Sequence, residues 1–336
     1  MHYTIKEKKP LPRSEFFIHI ELPPEAVSNE REHVLDRLKK DAELPGFRKG
    51  FVPEKMLRER IGEMALWEEA SEHALSEALS EIFRTEKLDA LGHPRVETIK
   101  LAPENPAEFK VTLSLYPKLT LPDYKTIASA QRSKKPEPIT VEEKEIEAVI
   151  KEIAAQHERA SGEKNFVVSD ETVKKFGGFE TLADFRAKVK EGLTARKKEL
   201  AKEKRRAELL HALGEESRGD IPDLLIESEL IKMEHELRGQ IEQMGGSFDE
   251  YLKEVKKDAP MLKKEWRHDA ERRARLQLTL LNIAREEKIA AEEKNIDVEV
   301  KHLLEHHKDA DKESARSFVE TLLTNQKVIE FLENRE

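Results

Sequence analysis

Alternating apolar and polar residues predict three β-strands in the first third of the chain. Apolar side chains occupy every second position from Phe16 to Leu22, and again from Phe109 to Leu115. This two-residue period is typical of a strand with one buried face. A further strand is expected over residues 95–101, shortly before the second of these runs.

Between these strands, apolar residues recur at the three- and four-residue spacing of helices. We expect a helix over residues 25–41 and a longer one over residues 64–87. The inward residues of the first are Val27, Val34, Leu35 and Leu38. Pro53 and Gly62 are expected to begin and end a short helix between them. This order of elements predicts an α+β domain with a small antiparallel sheet in residues 1–118.

Residues 119–169 are expected to form a linker and a linker helix. Prolines at 117, 122, 136 and 138 predict an extended segment, because proline disfavours a helix interior. Thr140 and Glu143 have the spacing of a capping box, so a helix is expected to begin there and to end near Glu158.

From residue 170 to residue 336 the pattern predicts only helices. Thr181 with Asp184, and Ser247 with Glu250, have the spacing of helix caps, and Pro222 is expected near the start of another helix. The helices expected after these signals cover residues 182 onward, 222–244, 258–288, 297–307 and 312–333. At about 1.5 Å per residue, those of twenty or more residues reach roughly 30 Å. The expectation is an all-α domain with long helical arms.

Composition limits the classes of function. The net charge of −9 argues against broad nucleic-acid binding, although eight basic and four acidic side chains lie between Arg37 and Arg60. With no cysteine, the chain has no thiolate chemistry and no Cys-based zinc site. No secretion signal or long apolar run is found, so a cytoplasmic protein without a membrane segment is expected.

The least ordinary stretch is the loop from Leu44 to Pro53. Its turn-forming residues are Pro45, Gly46, Gly50 and Pro53. They flank Phe47, Arg48 and Lys49, which suit a partner that offers phosphates and an apolar or stacking surface. The alternative is a helix–loop–helix turn whose Phe47 packs into the core; loop chemistry alone favours neither.

The run Gly46-Phe47-Arg48-Lys49-Gly50, with Val52-Pro53 after it, resembles the ribosome-docking signature of the trigger factor family of bacterial chaperones. Residues 173–178 and 221–229 resemble segments of that family's C-terminal domain. The resemblance implies an ATP-independent chaperone without a cofactor. Such a chaperone docks beside the tunnel exit, on a ribosomal protein and nearby ribosomal RNA. There it holds nascent and unfolded polypeptides, and assists their folding and export. Relatives also imply a possible homodimer when free.

The chain departs from this family in its middle. Trigger factors usually carry a prolyl-isomerase domain before the C-terminal domain, but here only residues 159–170 separate the helices. So few residues cannot form an independent domain. We therefore expect no enzyme and no catalytic residue. Two alternatives are that isomerase activity is retained, or that the chain is a helical ribonucleoprotein assembly scaffold.

Adaptable apolar side chains on two of the helices are candidates for client contact, because thioethers and aromatic rings suit varied partners. They are Met233, Leu237, Ile241 and Met244 on one helix, and Met261, Leu262 and Trp266 on another. The alternative is that each packs helix against helix, and for any single residue this is favoured.

Two other clusters are set aside. His302, His306 and His307 near Glu305 have metal-competent spacing, but no second cluster completes a ligand shell. A basic run from Arg196 to Arg206 suggests RNA. The acidic residues Glu199, Glu203 and Glu208 favour a solvated ion-pair face instead.

Overall fold

The structure is a computed structural model that describes residues 3–42, 47–48, 51–134, 138–162, 166–175, 178–306 and 310–334. The chain forms two compact units. The first contains residues 1–120 and 217–278, and the second contains residues 121–216 and 279–336. The boundaries at residues 118 and 169 stay a prediction.

The first unit contains a four-stranded antiparallel sheet. Its strands are β1 (Thr4–Leu11), β2 (Glu15–Leu22), β3 (Ala90–Lys100) and β4 (Ala107–Leu115), in the order β1-β2-β4-β3. Ile18 of β2 lies opposite Val111 of β4, and both are fully buried. The three expected strands are confirmed, and β1 is an additional one.

Three described helices lie between β2 and β3 in the chain: α1 (Pro24–Asp41), α2 (Glu54–Ile61) and α3 (Glu63–Glu86). Val27, Val34 and Trp67 join the inner residues of the sheet in one hydrophobic core. Pro53 is the N-cap of α2 and Gly62 its C-cap, so the short helix lies where the sequence predicted it.

The second unit begins with α4 (Tyr124–Ser133), α5 (Glu143–Ser161), α6 (Asp170–Lys175) and α7 (Leu182–Glu216). The expectation of an extended segment over residues 119–138 was wrong for α4. Asp123 caps this helix by accepting a hydrogen bond from the Thr126 backbone N–H at 3.1 Å. The prolines flank the helix and none lies inside it.

The remaining helices are α8 (Asp223–Gln243), α9 (Phe248–Glu254), α10 (Ala259–Glu287), α11 (Glu293–His306) and α12 (Lys312–Asn334). In the first unit, Ile226 and Leu230 of α8 pack with Ala270 and Ala274 of α10. In the second unit, α11 and α12 share a small apolar core around Val300 and Val319. None of the described helices is both long and apolar enough to cross a membrane.

One of the three predicted capping boxes forms a cap as expected. The Asp184 backbone N–H donates to Thr181 Oγ1 at 3.1 Å. The box at Thr140 was wrong in position, because the Glu142 backbone N–H donates to Glu145 Oε2 at 2.9 Å and α5 begins after Glu142. Ser247 is the N-cap of α9, but its side chain makes no capping hydrogen bond.

The end of α12 is joined to α7 by a bidentate ion pair. Arg206 Nε donates to Glu333 Oε1 at 2.7 Å, and Nη2 donates to Oε2 at 2.9 Å. These hydrogen bonds lower the pKa of Glu333 below its ordinary value. A carboxyl group with a lowered native pKa adds stability above its unfolded pKa and loses it as the pH falls.

We expect Glu333→Gln to lower the free energy of unfolding by about 1 kcal/mol at neutral pH, because Arg206 is partly exposed to solvent. The difference from the wild type should disappear as the pH falls through the ordinary carboxyl pKa of about 4.3 and then through the lowered native value. Urea titrations at several pH values measure it. Glu320→Gln, an exposed position on the same helix, is the control. A loss that persists under acidic conditions would contradict the ion-pair explanation.

Candidate functional site

The predicted docking loop connects α1 to α2. Phe47 is 38% exposed and does not join the core, and Arg48 is exposed too. The packing alternative for Phe47 is therefore not what the structure shows. Pro53 is exposed at the start of α2. Gly46, Lys49 and Gly50 lie outside the described residues.

The base of the loop is anchored to the core. Val52 is fully buried, and Leu57 on the next turn of chain is nearly so. Both belong to the same hydrophobic cluster as Trp67. The exposed residues Phe47 and Arg48 thus lie on a loop whose C-terminal end is held in place by the buried side chains of Val52 and Leu57.

Phe51 is a residue of this loop that sequence reasoning missed. Its ring is 70% exposed. The Arg48 guanidinium carbon lies 5.8 Å from the ring centroid, and the Phe51 backbone N–H donates to the Arg48 carbonyl at 2.9 Å. Its place in the sequence, between Gly50 and Val52, did not distinguish it from a core residue. The loop therefore presents two aromatic rings beside a cation.

The positive charge around the loop is only partly available to a partner. Arg37 is paired with Glu69, and Arg58 is paired with Glu54 at 2.9 Å. By contrast, Arg48, Lys55 and Arg60 form no ion pair with another described residue. Exposed cations without an ion pair to a described residue suit an anionic surface.

The client candidates differ sharply in exposure. Met244 is 82% exposed and Met261 is 55% exposed. Met233 and Trp266 pack partly against the core between α8 and α10, and Leu237 is half-buried. Ile241 and Leu262 are only 6% and 4% exposed, so their burial removes them from a contact surface. Ile231 and Leu224 of α8 are exposed and were missed.

The histidine cluster gains no support as a site. Among the residues that the structure describes, no group of three or more His, Cys, Asp or Glu side chains is arranged to hold a metal ion. His302, Glu305 and His306 lie on α11, and His307 lies outside the described residues.

Two family models match the chain. Residues 1–153 match the model described as bacterial trigger factor protein, and residues 181–334 match the model described as its C-terminus. Together these matches cover most of the sequence. The chain belongs to the trigger factor family. By family it is a ribosome-associated chaperone.

Individual trigger factors are similar over much of the chain. The trigger factor of Halothermothrix orenii is 22% identical, over 88% of this chain and 89% of its own. That of Acidiphilium cryptum is 36% identical, over 40% of this chain and 29% of its own. A solved structure concerned with promiscuous substrate recognition in folding and assembly by the trigger factor chaperone is 15% identical. It covers 98% of this chain and 99% of its own with a TM-score of 0.53. This likeness shows the fold.

The two trigger factor matches are separated only by residues 154–180. Most of this interval belongs to the helical fold itself, since Ala154, Phe166 and Val173 pack with Phe185 of α7. An independent domain needs roughly 40 residues or more. The interval therefore has no room for a separate middle domain.

Proposed function

We propose that this trigger factor docks at the ribosomal tunnel exit through the loop of residues 46–50 and Pro53. It would contact a ribosomal protein and ribosomal RNA there. The observation that carries the proposal is the exposure of Phe47 and Arg48 on a loop anchored by Val52. An aromatic ring beside an exposed cation matches a surface that offers both phosphates and apolar pockets.

The docked chain would hold nascent polypeptides without ATP, in the cytoplasm, and assist their folding and export. Many weak contacts on a preformed surface allow binding of varied clients and their later release. The support for this is a set of apolar side chains exposed at the C-terminal end of α8 and on α10, within one compact unit. Those proposed to contact clients are Met244 and Met261, with Met233, Leu237 and Trp266 at their partly buried margins.

Co-sedimentation with ribosomes tests docking and separates it from a general ribonucleoprotein scaffold. Wild-type chain is expected to bind ribosomes whether or not they carry a nascent chain, and to bind more tightly when one is present. Binding that is equally strong to unrelated structured RNA would favour the scaffold. Sedimentation of the free chain over a range of concentrations tests the expected homodimer.

Replacing Met244 and Met261 together by serine is expected to weaken binding of a labelled unfolded protein about three- to tenfold, because two adaptable contacts are lost. Fluorescence anisotropy without ribosomes measures this. Met56→Ser with Met64→Ser is the matched control, since both methionines are exposed and lie outside α8 and α10. Equal weakening by both pairs would show that these helices are not preferred.

We also propose that the chain does not isomerise X-Pro bonds, since residues 154–180 cannot form an isomerase domain. A proline-limited refolding reaction should keep its uncatalysed time constant of tens to hundreds of seconds at 25 °C when the chain is added in catalytic amounts. Acceleration that scales with chain concentration would overturn this proposal and leave the docking proposal untouched.

A further inference from the structure

A cavity of about 210 Å³ lies between α4, α7 and α12 in the second compact unit. Its apolar lining consists of Ala128, Leu209 and Leu332, all of which are buried. Its charged lining consists of Arg132, Lys202, Arg205, Arg206 and Glu333. Four cations and one carboxylate therefore line an aliphatic floor. After the hydrogen bonds to Glu333, Glu199 and Glu330 lie close enough to help raise the pKa of Arg206.

Two of these cations already form hydrogen bonds within the protein. Arg206 is held by Glu333, and Arg132 Nη1 donates to the Leu332 carbonyl at 2.6 Å. The side chains of Lys202 and Arg205 form no hydrogen bond or ion pair with any described residue. Both are close enough to contribute to the lowered pKa of Glu333, after its hydrogen bonds to Arg206. The cavity thus has two cations available for a ligand.

The positive charge continues along α7 outside the cavity. Lys198, Lys202 and Arg205 are four and three residues apart, so they share one face of the helix over roughly 10 Å. Glu199 and Glu203 form no ion pair with another described residue. Glu208 pairs with Lys134 of α4's C-cap and not with a cation of α7. The ion-pair face that the sequence predicted therefore forms in part, through Lys197 with Glu145 and Arg206 with Glu333 and not through the acidic residues within α7.

The size and lining of the cavity indicate the class of ligand. Cavities that hold a whole small molecule usually measure about 300–1,000 Å³, so this one suits a single side chain of a longer molecule. Its described lining contains no aromatic ring on which an RNA base could stack. Aliphatic walls favour an aliphatic side chain, and Arg and Lys favour the carboxylates next to it.

We propose that this cavity binds acidic segments of client polypeptides, in which an aliphatic residue is flanked by Asp or Glu. The inference rests on the proposed client-holding function, and it places a second client site on a different unit from Met244 and Met261. The aliphatic side chain enters between Ala128, Leu209 and Leu332. The flanking carboxylates bind Lys202 and Arg205.

The test uses the full chain and a fluorescein-labelled peptide with one leucine between pairs of glutamates. Lys202→Ala with Arg205→Ala is expected to weaken binding of this peptide about tenfold, because two charge-assisted contacts are lost. Arg196→Ala with Lys204→Ala changes the charge of the same helix equally. Neither residue lines the cavity, so weakening should stay below about twofold. Exchanging the peptide's leucine for serine should also weaken binding to the wild type.

Equal weakening by the two double variants would overturn the proposal, since it would indicate a general charge effect. So would tighter binding of a peptide whose glutamates are replaced by lysines. Tighter binding of an oligouridylate that depends on Lys202 and Arg205 would assign the cavity to RNA instead. The unfolded-protein assay separates the two client proposals. A neutral unfolded protein should bind the Lys202→Ala, Arg205→Ala variant as tightly as it binds the wild type. If the wild type does not bind this unfolded protein, client holding as a whole is overturned.

Discussion

Replacing Phe47, Arg48 and Lys49 by alanine is expected to abolish co-sedimentation with ribosomes at physiological salt and to leave the fold intact. Phe47 and Arg48 are exposed, and the core beneath the loop is made by Val52 and Leu57. Loss of two cations removes contacts whose strength depends on salt, and loss of the ring removes an apolar anchor. A decrease in affinity of at least about a hundredfold is expected.

A matched control is a variant that loses the same three kinds of side chain elsewhere. Phe318→Ala with Arg196→Ala and Lys204→Ala meets this need, because all three residues are exposed and lie in the second unit. It should co-sediment as the wild type does. Phe51→Ala alone is expected to weaken docking only a few-fold, since its partner Arg48 remains. Normal co-sedimentation of the triple-alanine loop variant would refute the assignment of the loop.

The second large effect is expected at Trp67. Its ring projects from α3 and is fully buried in the core of the first unit, and the Arg31 guanidinium carbon lies 5.9 Å from the ring centroid. Trp67→Ala should lower the free energy of unfolding by roughly 3–5 kcal/mol, because a large cavity replaces the ring. Urea denaturation followed by far-ultraviolet circular dichroism measures this.

Trp67→Phe separates the volume of the ring from its polar atom. The indole Nε1–H has no hydrogen-bond partner among the described residues, so its removal relieves an unsatisfied donor. We therefore expect this exchange to cost clearly less than Trp67→Ala, because it leaves a smaller cavity. A cost for Trp67→Phe that approaches the cost of the alanine variant would mean that the N–H has a partner of importance.

The strands differ in how far sequence could reveal them. β2 and β4 were predictable because one face of each is buried, which imposes alternation on residues such as Ile18 and Val111. β1 carries no such alternation, since half of its sequence TIKEKKPL is charged and most of it is exposed. It is held by backbone pairing with β2 after a turn in which Arg13 and Ser14 have positive φ angles. Pairing of this kind leaves no periodic signal in the strand itself.

The helices show a similar division. Long periodic segments such as α3 and α10 were predicted to within one or two residues. α4 was missed because the surrounding prolines dominated the interpretation, although the ten residues of the helix contain none. Its cap at Asp123 depends on a local side-chain hydrogen bond, and such a bond competes with several nearby alternatives.

The candidate sites were predictable in kind but not residue by residue. Turn residues identified the docking loop, yet Phe51 followed no pattern that distinguished it from a core residue. Helical spacing placed Ile241 and Met244 near one another at the end of α8, but only packing decides that the first is buried and the second exposed. A periodic pattern gives the apolar face of a helix. It does not show how much of that face a neighbouring helix covers.

β1 combines a position at the edge of the sheet with a charged sequence. β1 forms one border of the sheet, and a border strand offers unpaired backbone groups that can template further strands. Here the strand carries Lys6, Lys8 and Lys9, and Pro10 lacks an N–H group. Charged side chains and proline oppose the addition of an extended client to the sheet. These features oppose pairing of this edge of the sheet with other extended chains.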